Sequence, residues 1–243
     1  MHIQTLRCLK DNWTFVVEHG DARVVIDPGE FTQELELRLA NKQVQAVLLT
    51  HHHHDHIGGV EDLLRAHPET RVFASARDVQ RLKFLNQAPL QFDEFKAALG
   101  AEIQFQHHAI PGHTQGQVAL MFRDASGTPS PLNMFVGDTL FAFGCGRCLE
   151  GTPEELFQSL QFIKSRPPET LIYFGHDYEV RNAEFWKTWR DEAGPSLVSD
   201  ADLSSAQPGR AFARLDFEMQ RNPFLKLRDV ESFRLWRDRR NHF

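Results

Sequence analysis

Thr50-His51-His52-His53-His54-Asp55-His56-Ile57-Gly58-Gly59 follows directly on the apolar run Val44 to Leu49, so it lies where a buried strand gives way to a loop. Five of the 13 histidines of the chain fall between positions 51 and 56. If extended backbone continues past the strand, side chains two apart share a side, which sets His51, His53 and Asp55 together and turns His52 and His54 elsewhere. His56 turns in as the next helix begins. The shifted set His52, His54 and His56 would leave Asp55 unused. An expression tag would sit at a terminus, and adjacent solvent-exposed histidines would repel one another on protonation, whereas bound metal removes that conflict.

Three further candidates follow other strand-like runs, each preceded by glycine: His113 in Ile110-Pro111-Gly112-His113-Thr114, Asp138 after Met134-Phe135-Val136-Gly137, and His176 after Ile172-Tyr173-Phe174-Gly175. Glycine there permits a tight turn that aims a ligand at a shared point. Imidazole and carboxylate suit a divalent transition metal, and the number of donors exceeds what one tetrahedral ion uses. The expected division gives His51, His53 and His113 to one ion and Asp55, His56 and His176 to a second, with Asp138 bridging. Two ions about 3.5 to 4 Å apart lower the pKa of a shared water towards about 7, which favours hydrolysis. Zinc is the first expectation, with iron or manganese as the other metals this donor set accepts.

The remaining composition narrows the partners. With 243 residues, 41% hydrophobic and 25% charged, the chain reads as an ordinary globular protein. A formal charge of -6 removes the simplest case for nucleic acid, and no run of eighteen apolar residues speaks for a membrane span. The start offers no signal-peptide pattern, and three cysteines, Cys8, Cys145 and Cys148, do not describe a disulfide framework, so a cytoplasmic location is expected. A monomer is the expected state.

Strands are expected at Ala22 to Ile26, Val44 to Leu49, Arg71 to Ala74, Ile103 to Phe105, Val118 to Phe122, Asn133 to Val136 and Thr170 to Phe174. Helical spacing falls between them, clearest from Pro153 to Lys164 with Thr152 as cap. The class is therefore α/β with a sheet that is not purely parallel. Beyond about residue 180 the pattern becomes aromatic and charged without alternation, which predicts a helical appendage over 181–243 after a catalytic domain over 1–180, with a loop from Ala193 to Gly209. Between Arg221 and Phe243 seven basic residues face three acidic ones.

These motifs resemble the metallo-β-lactamase superfamily and, within it, glyoxalase II, the hydroxyacylglutathione hydrolases. The resemblance rests on Asp27-Pro28-Gly29, Thr50 to Gly59, Pro111 to Gly116, Gly137-Asp138-Thr139-Leu140-Phe141, Gly144-Cys145-Gly146-Arg147, Gly175-His176-Asp177-Tyr178, Asn222-Pro223-Phe224 and the basic C-terminal stretch. It implies an αββα sandwich with a dinuclear site and a small C-terminal helical domain, and the ligand division above. It also implies hydrolysis of S-D-lactoylglutathione to D-lactate and glutathione in methylglyoxal detoxification. By the same resemblance Arg147, Tyr178, Arg237 and Arg240 hold the glutathione part, whose carboxylates suit bidentate arginine. Leu149 stands where the family commonly places Tyr, which removes one hydroxyl donor.

Two other readings share the motifs. One is a mononuclear-iron persulfide dioxygenase of the same fold; the other is a non-catalytic protein that binds metal structurally. Structural zinc sites close with four ligands, commonly including Cys, whereas seven His or Asp candidates leave positions open for reaction. Cys145-Gly146-Arg147-Cys148 lacks a second C-x-x-C and the strand–helix context of a thioredoxin-type motif.

Overall fold

The computed structural model describes residues 1–83, 85, 88–95, 100–127 and 129–243. The chain forms two compact units, Met1–His108 with Val118–Pro131, and Ala109–Gln117 with Leu132–Phe243.

In the first unit the elements run β1 (His2–Cys8), β2 (Asn12–His19), β3 (Ala22–Ile26), α1 (Gln33–Leu39), β4 (Gln43–Leu48), α2 (His54–Ile57), α3 (Val60–Ala66), β5 (Arg71–Ala74), α4 (Ala76–Val79), β6 (Leu90–Gln91), β7 (Ile103–Ala109) and β8 (Val118–Asp124). Strands β1 to β6 form one sheet in sequence order. Its first three strands pair antiparallel and the next three parallel, so the sheet is mixed, as expected. Val16, Val25 and Val47 from the strands pack with Leu35 and Leu39 of α1 and Val60 and Leu63 of α3 in one buried cluster. Each such side chain taken from water contributes about 1.5–3 kcal/mol. The parallel arrangement of β3, β4 and β5 sets the ends of β3 and β4 side by side, and this places Asp27 next to Thr50 and the histidine stretch.

The second unit runs β9 (Asn133–Phe135), β10 (Leu140–Phe141), β11 (Gly144–Cys145), α5 (Pro153–Lys164), β12 (Leu171–Tyr173), α6 (Glu179–Thr188), α7 (Arg190–Ala193), α8 (Asp200–Ser204), β13 (Phe212–Arg214), α9 (Leu215–Arg221), α10 (Pro223–Lys226) and α11 (Val230–Asn241). Strand β12 pairs parallel with β9 and antiparallel with β13, while β10 and β11 make a short hairpin. Helix α5 starts as its sequence predicts, with the Thr152 side chain capping Glu155 N–H and the Glu155 side chain returning to Thr152 N–H. Of the late aromatic residues Phe185, Trp186, Phe224, Phe233 and Trp236 are core, whereas Phe212 and Phe217 are exposed; Trp186 packs on Phe224 and Trp236 with ring centroids 5.2 and 5.1 Å apart.

Two expectations for the late segment need correction. Residues 212–214 form a strand rather than helix, because Ile172 and its neighbours on β12 offer a free edge that Ala213 completes. The stretch from Ala193 to Gly209 is not all loop, since α8 forms behind a Ser199 cap with a reciprocal bond from Asp202.

Candidate active site

In the first unit the histidine stretch is extended only as far as His53, which caps α2 (φ -62°, ψ 144°). Asp55 therefore lies in the first turn of a helix, not on a continuing strand. Its Oδ2 accepts from Asn12 Nδ2 at 3.0 Å, and the same amide donates to the Asp55 carbonyl at 3.1 Å. His51 is fully buried and packs against the rings of His53 and His56, with centroids 4.7 and 4.2 Å away. His51 Nε2 lies 3.1 Å from His53 Nδ1, and His51 Nδ1 lies 3.1 Å from Thr50 Oγ1. His54 is exposed. His52 turns aside, its Nδ1 3.0 Å from Asp78 Oδ1 and its Nε2 2.9 Å from Arg81 Nη1.

Sequence reasoning passed over Asp27 as a site residue, although Asp27-Pro28-Gly29 closes β3. Its backbone adopts φ +48°. Buried beside these histidines, Asp27 accepts from Thr50 N at 2.8 Å and Thr50 Oγ1 at 2.5 Å, and its Oδ2 lies 3.0 Å from His56 Nδ1. Ligand-type atoms of Asp27, His51 and His56 all lie within 4.8 Å of one another. The carboxylate fixes His56 with its proton on Nδ1, so Nε2 carries the lone pair, and that atom faces Asp55 Oδ2 at 3.9 Å. The signal for Asp27 was present: a carboxylate at a strand end, beside the end of the strand that carries the histidines. Gly29 and Gly58 let these segments close up, since a Cβ at Gly29 would lie 2.1 Å from the Asp55 carbonyl oxygen.

The second unit repeats the device. His113 Nδ1 donates to the Arg147 carbonyl at 2.8 Å, which leaves the lone pair on Nε2, and Nε2 faces Asp138 Oδ2 at 3.4 Å. His176 Nε2 lies 3.3 Å from that same oxygen. His113, Asp138 and His176 are all buried. The turns before His113 and Asp138 do need glycine, with φ +138° at Gly112 and +47° at Gly137, but Gly175 before His176 stays out of the left-handed region. A ring lone pair aimed at a carboxylate oxygen is repulsive unless a proton or a cation lies between them, and imidazole with carboxylate is the donor chemistry of divalent metals. The residues present fit such ions.

His113 and Asp138 also line a cavity of about 260 Å³. Its other walls include all four expected substrate residues, Arg147, Tyr178, Arg237 and Arg240, together with Arg181, which the sequence reading did not select. Tyr178 stacks on His176, with centroids 4.6 Å apart and planes 12° from parallel. Arg147, exposed, reaches the Asn241 carbonyl at 2.9 Å. Arg240 donates to Asn182 Oδ1 through Nε and Nη2 at 3.3 and 3.2 Å. Burial, followed by the charges of Arg237 and Arg181, lowers Arg240 to about 10.

Arg237 is buried and holds the glycine-rich loop from beneath, donating through Nη1 to the carbonyls of Cys145 and Gly146 at 2.7 and 3.1 Å. The preceding four carbonyls are held as well. Asn222 Nδ2 donates to those of Phe141 and Gly144, Asn182 Nδ2 to that of Ala142, and Trp186 Nε1 to that of Phe143. Six consecutive carbonyls of a buried turn are thereby satisfied by side chains from α6, α11 and Asn222. Cys145 and Cys148 are free thiols, and burial raises both, Cys148 to about 12.

Residues 9–176 match the model of the metallo-beta-lactamase superfamily. The chain is 38% identical over 234 residues to a hydroxyacylglutathione hydrolase of Synechococcus sp., covering 93% of this chain and 89% of the relative. A crystal structure of ETHE1 from Myxococcus xanthus superposes with a TM-score of 0.70 at 24% identity, covering 98% of this chain and 90% of that one. TTHA1623 in a di-iron-bound form superposes with a TM-score of 0.60 at 27% identity, covering 93% and 100% of the two chains.

Proposed function

Since the chain belongs to the metallo-β-lactamase superfamily, and within it to the hydroxyacylglutathione hydrolases, we propose that it hydrolyses glutathione-type thioesters, converting S-D-lactoylglutathione and water to D-lactate and glutathione. One observation carries the reading. Two imidazoles direct Nε2 at a single carboxylate oxygen, Asp138 Oδ2, in the wall of a cavity that four arginines also line. Metal-ligand chemistry thus adjoins an anion-binding surface, as an acidic thioester requires.

The chain's His and Asp donors suit divalent metal, and we assign two ions: His51, His53 and His113 for one, Asp55, His56 and His176 for the other, with Asp138 shared. Zinc is the first assignment; the di-iron form of TTHA1623 keeps iron in view. When bound, such ions supply Lewis-acid polarisation of a carbonyl and a lowered water pKa. Asp55, anchored by Asn12, accepts a proton from the attacking water and orients it towards the thioester carbon. The leaving thiolate belongs to a thiol of pKa about 8.5 and departs without a strong general acid. Arg147, Tyr178, Arg237 and Arg240 hold the thiol half of the substrate. We assign residues 1–180 to a catalytic domain, which also supplies Arg147 and Tyr178, and residues 181–243 to a helical substrate-binding appendage, and the whole to a cytoplasmic monomer that contacts neither nucleic acid nor membrane. Among the described residues no helix is long and apolar enough to cross a membrane.

The test is an assay on S-D-lactoylglutathione that follows free thiol, run beside oxygen uptake on a glutathione persulfide. Metal-dependent thiol release without oxygen uptake is expected. Oxygen uptake with one iron per chain would make the protein a persulfide dioxygenase, and inactivity in both assays with metal bound would make it a binding protein.

A further inference from the structure

Of the arginines that line the cavity, three already have acceptors within the protein: Arg147 the Asn241 carbonyl, Arg237 two loop carbonyls, and Arg240 the Asn182 side chain. Arg181 differs. It is exposed, lines the same cavity, and has no hydrogen bond or ion pair among the described residues. All five of its N–H donors are therefore available to a ligand.

Its position adds to this. Arg181 is the third residue of α6, whose first turn forms one cavity wall from Tyr178 to Asn182, and the leading N–H groups of a helix favour negative charge. Arg181 shares this cavity with Arg237 and Arg240, and no carboxylate lines it besides Asp138: Glu179 of the same helix turns away into a buried pair with Arg221 at 2.6 Å, and Glu184, a turn further on, is not part of the lining. Burial and, after it, the charges of Arg237 and Arg181 already disfavour a protonated Arg240. An incoming carboxylate relieves that repulsion and gains a fork of two parallel bonds.

We propose that Arg181 is a specificity-determining residue that grips the glycine carboxylate of the glutathione thioester. The inference rests on the thioesterase reading above and deepens it. Glutathione carries two carboxylates, but the γ-glutamyl one has its own ammonium on the same carbon, whereas the glycine one has no internal counter-charge. An accumulation of guanidinium groups discriminates in favour of the second. The grip lies away from the reacting carbonyl, so its binding energy is equal in ground and transition states and appears in KM.

The experiment compares full-length wild type, Arg181→Gln and Arg181→Lys on S-D-lactoylglutathione and on the same thioester with its glycine carboxylate converted to an ethyl ester. For the free acid, Arg181→Gln is expected to raise KM by about tenfold with kcat within about twofold, and Arg181→Lys to restore part of the loss. For the ethyl ester, wild type is expected to show the raised KM already, with no further change in Arg181→Gln. An unchanged KM for Arg181→Gln on the free acid, or an equal loss on acid and ester, would overturn the assignment while leaving the thioesterase reading intact. Failure of wild type to cleave either substrate would overturn both.

Discussion

Arg237 Nη1 donates to the Cys145 carbonyl oxygen across 2.7 Å in a buried setting, so a residue expected to bind substrate also fixes the loop that forms the cavity wall. Arg240, by contrast, donates to the side chain of Asn182 and lies over the rings of Phe185 and Phe243, and among the described residues it makes no hydrogen bond to the loop. Substitution of the two should therefore separate. Arg240→Ala is expected to raise KM for the acidic thioester with little change in thermal midpoint. Arg237→Ala is expected to raise KM and also to destabilise the fold by about 2–3 kcal/mol, because two loop carbonyls lose a buried charged donor. Equal thermal midpoints for the two variants would contradict the loop-holding role.

The same loop is held by Asn222, whose amide donates to the Phe141 and Gly144 carbonyls at 2.9 and 3.1 Å while its Oδ1 caps α10 at Phe224 N–H. Asn222→Ala is expected to cost about 2–3 kcal/mol in chemical denaturation. A loss below about 0.5 kcal/mol would show that the turn satisfies itself in another way.

Glu218 underlies that turn, accepting from Phe143 N–H at 3.2 Å. Burial, partly offset by Arg221, pushes its carboxyl from an ordinary 4.5 up to about 7. Between these two values the folded protein keeps a proton that the unfolded chain has released, so this group's contribution to stability falls as pH rises from 4.5 to about 7 and stays low above it. Glu218→Gln holds the neutral form at every pH. Relative to wild type it should gain stability across that window, reaching on the order of 2–3 kcal/mol at pH 8. A difference that does not change with pH, measured by thermal unfolding at pH 5 and pH 8, would refute it.

Asp27 touches His56 and Thr50 and is expected to act on metal through them. Asn tolerates the left-handed backbone at this position, so Asp27→Asn preserves the turn while weakening the orientation of His56. Competition with a chelator should reveal a loss of about 10–100-fold in metal affinity. Unaltered affinity would reduce Asp27 to a turn residue.

Much of this is legible in the amino-acid sequence. The strands at Ala22–Ile26 and Arg71–Ala74 fall where their apolar runs predicted, and the cap at Thr152 starts α5 as read. The hairpin β1–β2 was not read, because His2, Gln4 and Arg7 interrupt the apolar signal of one strand and the tight Leu9–Asp11 connection lacks glycine. Strand β13 escaped for a different reason: three residues are too few to show alternation, and their pairing with β12 is set from 40 residues away. At the site, residue type and strand-end position point to the histidines. Local spacing could not show that the extended backbone stops at His53, nor that Asp27, from a strand neighbouring in space, stands behind His56. Arg181 was hidden likewise, since a lone arginine on a helix reads as solvated surface until the cavity beside it is known.

Metal content per chain, measured on purified wild type and on Asp138→Ala alongside thioester hydrolysis, bears most directly on the account. Two divalent ions per active wild-type chain are expected, with bound metal reduced and hydrolysis abolished in Asp138→Ala. Full hydrolysis by Asp138→Ala, or by wild type stripped of metal, would contradict it.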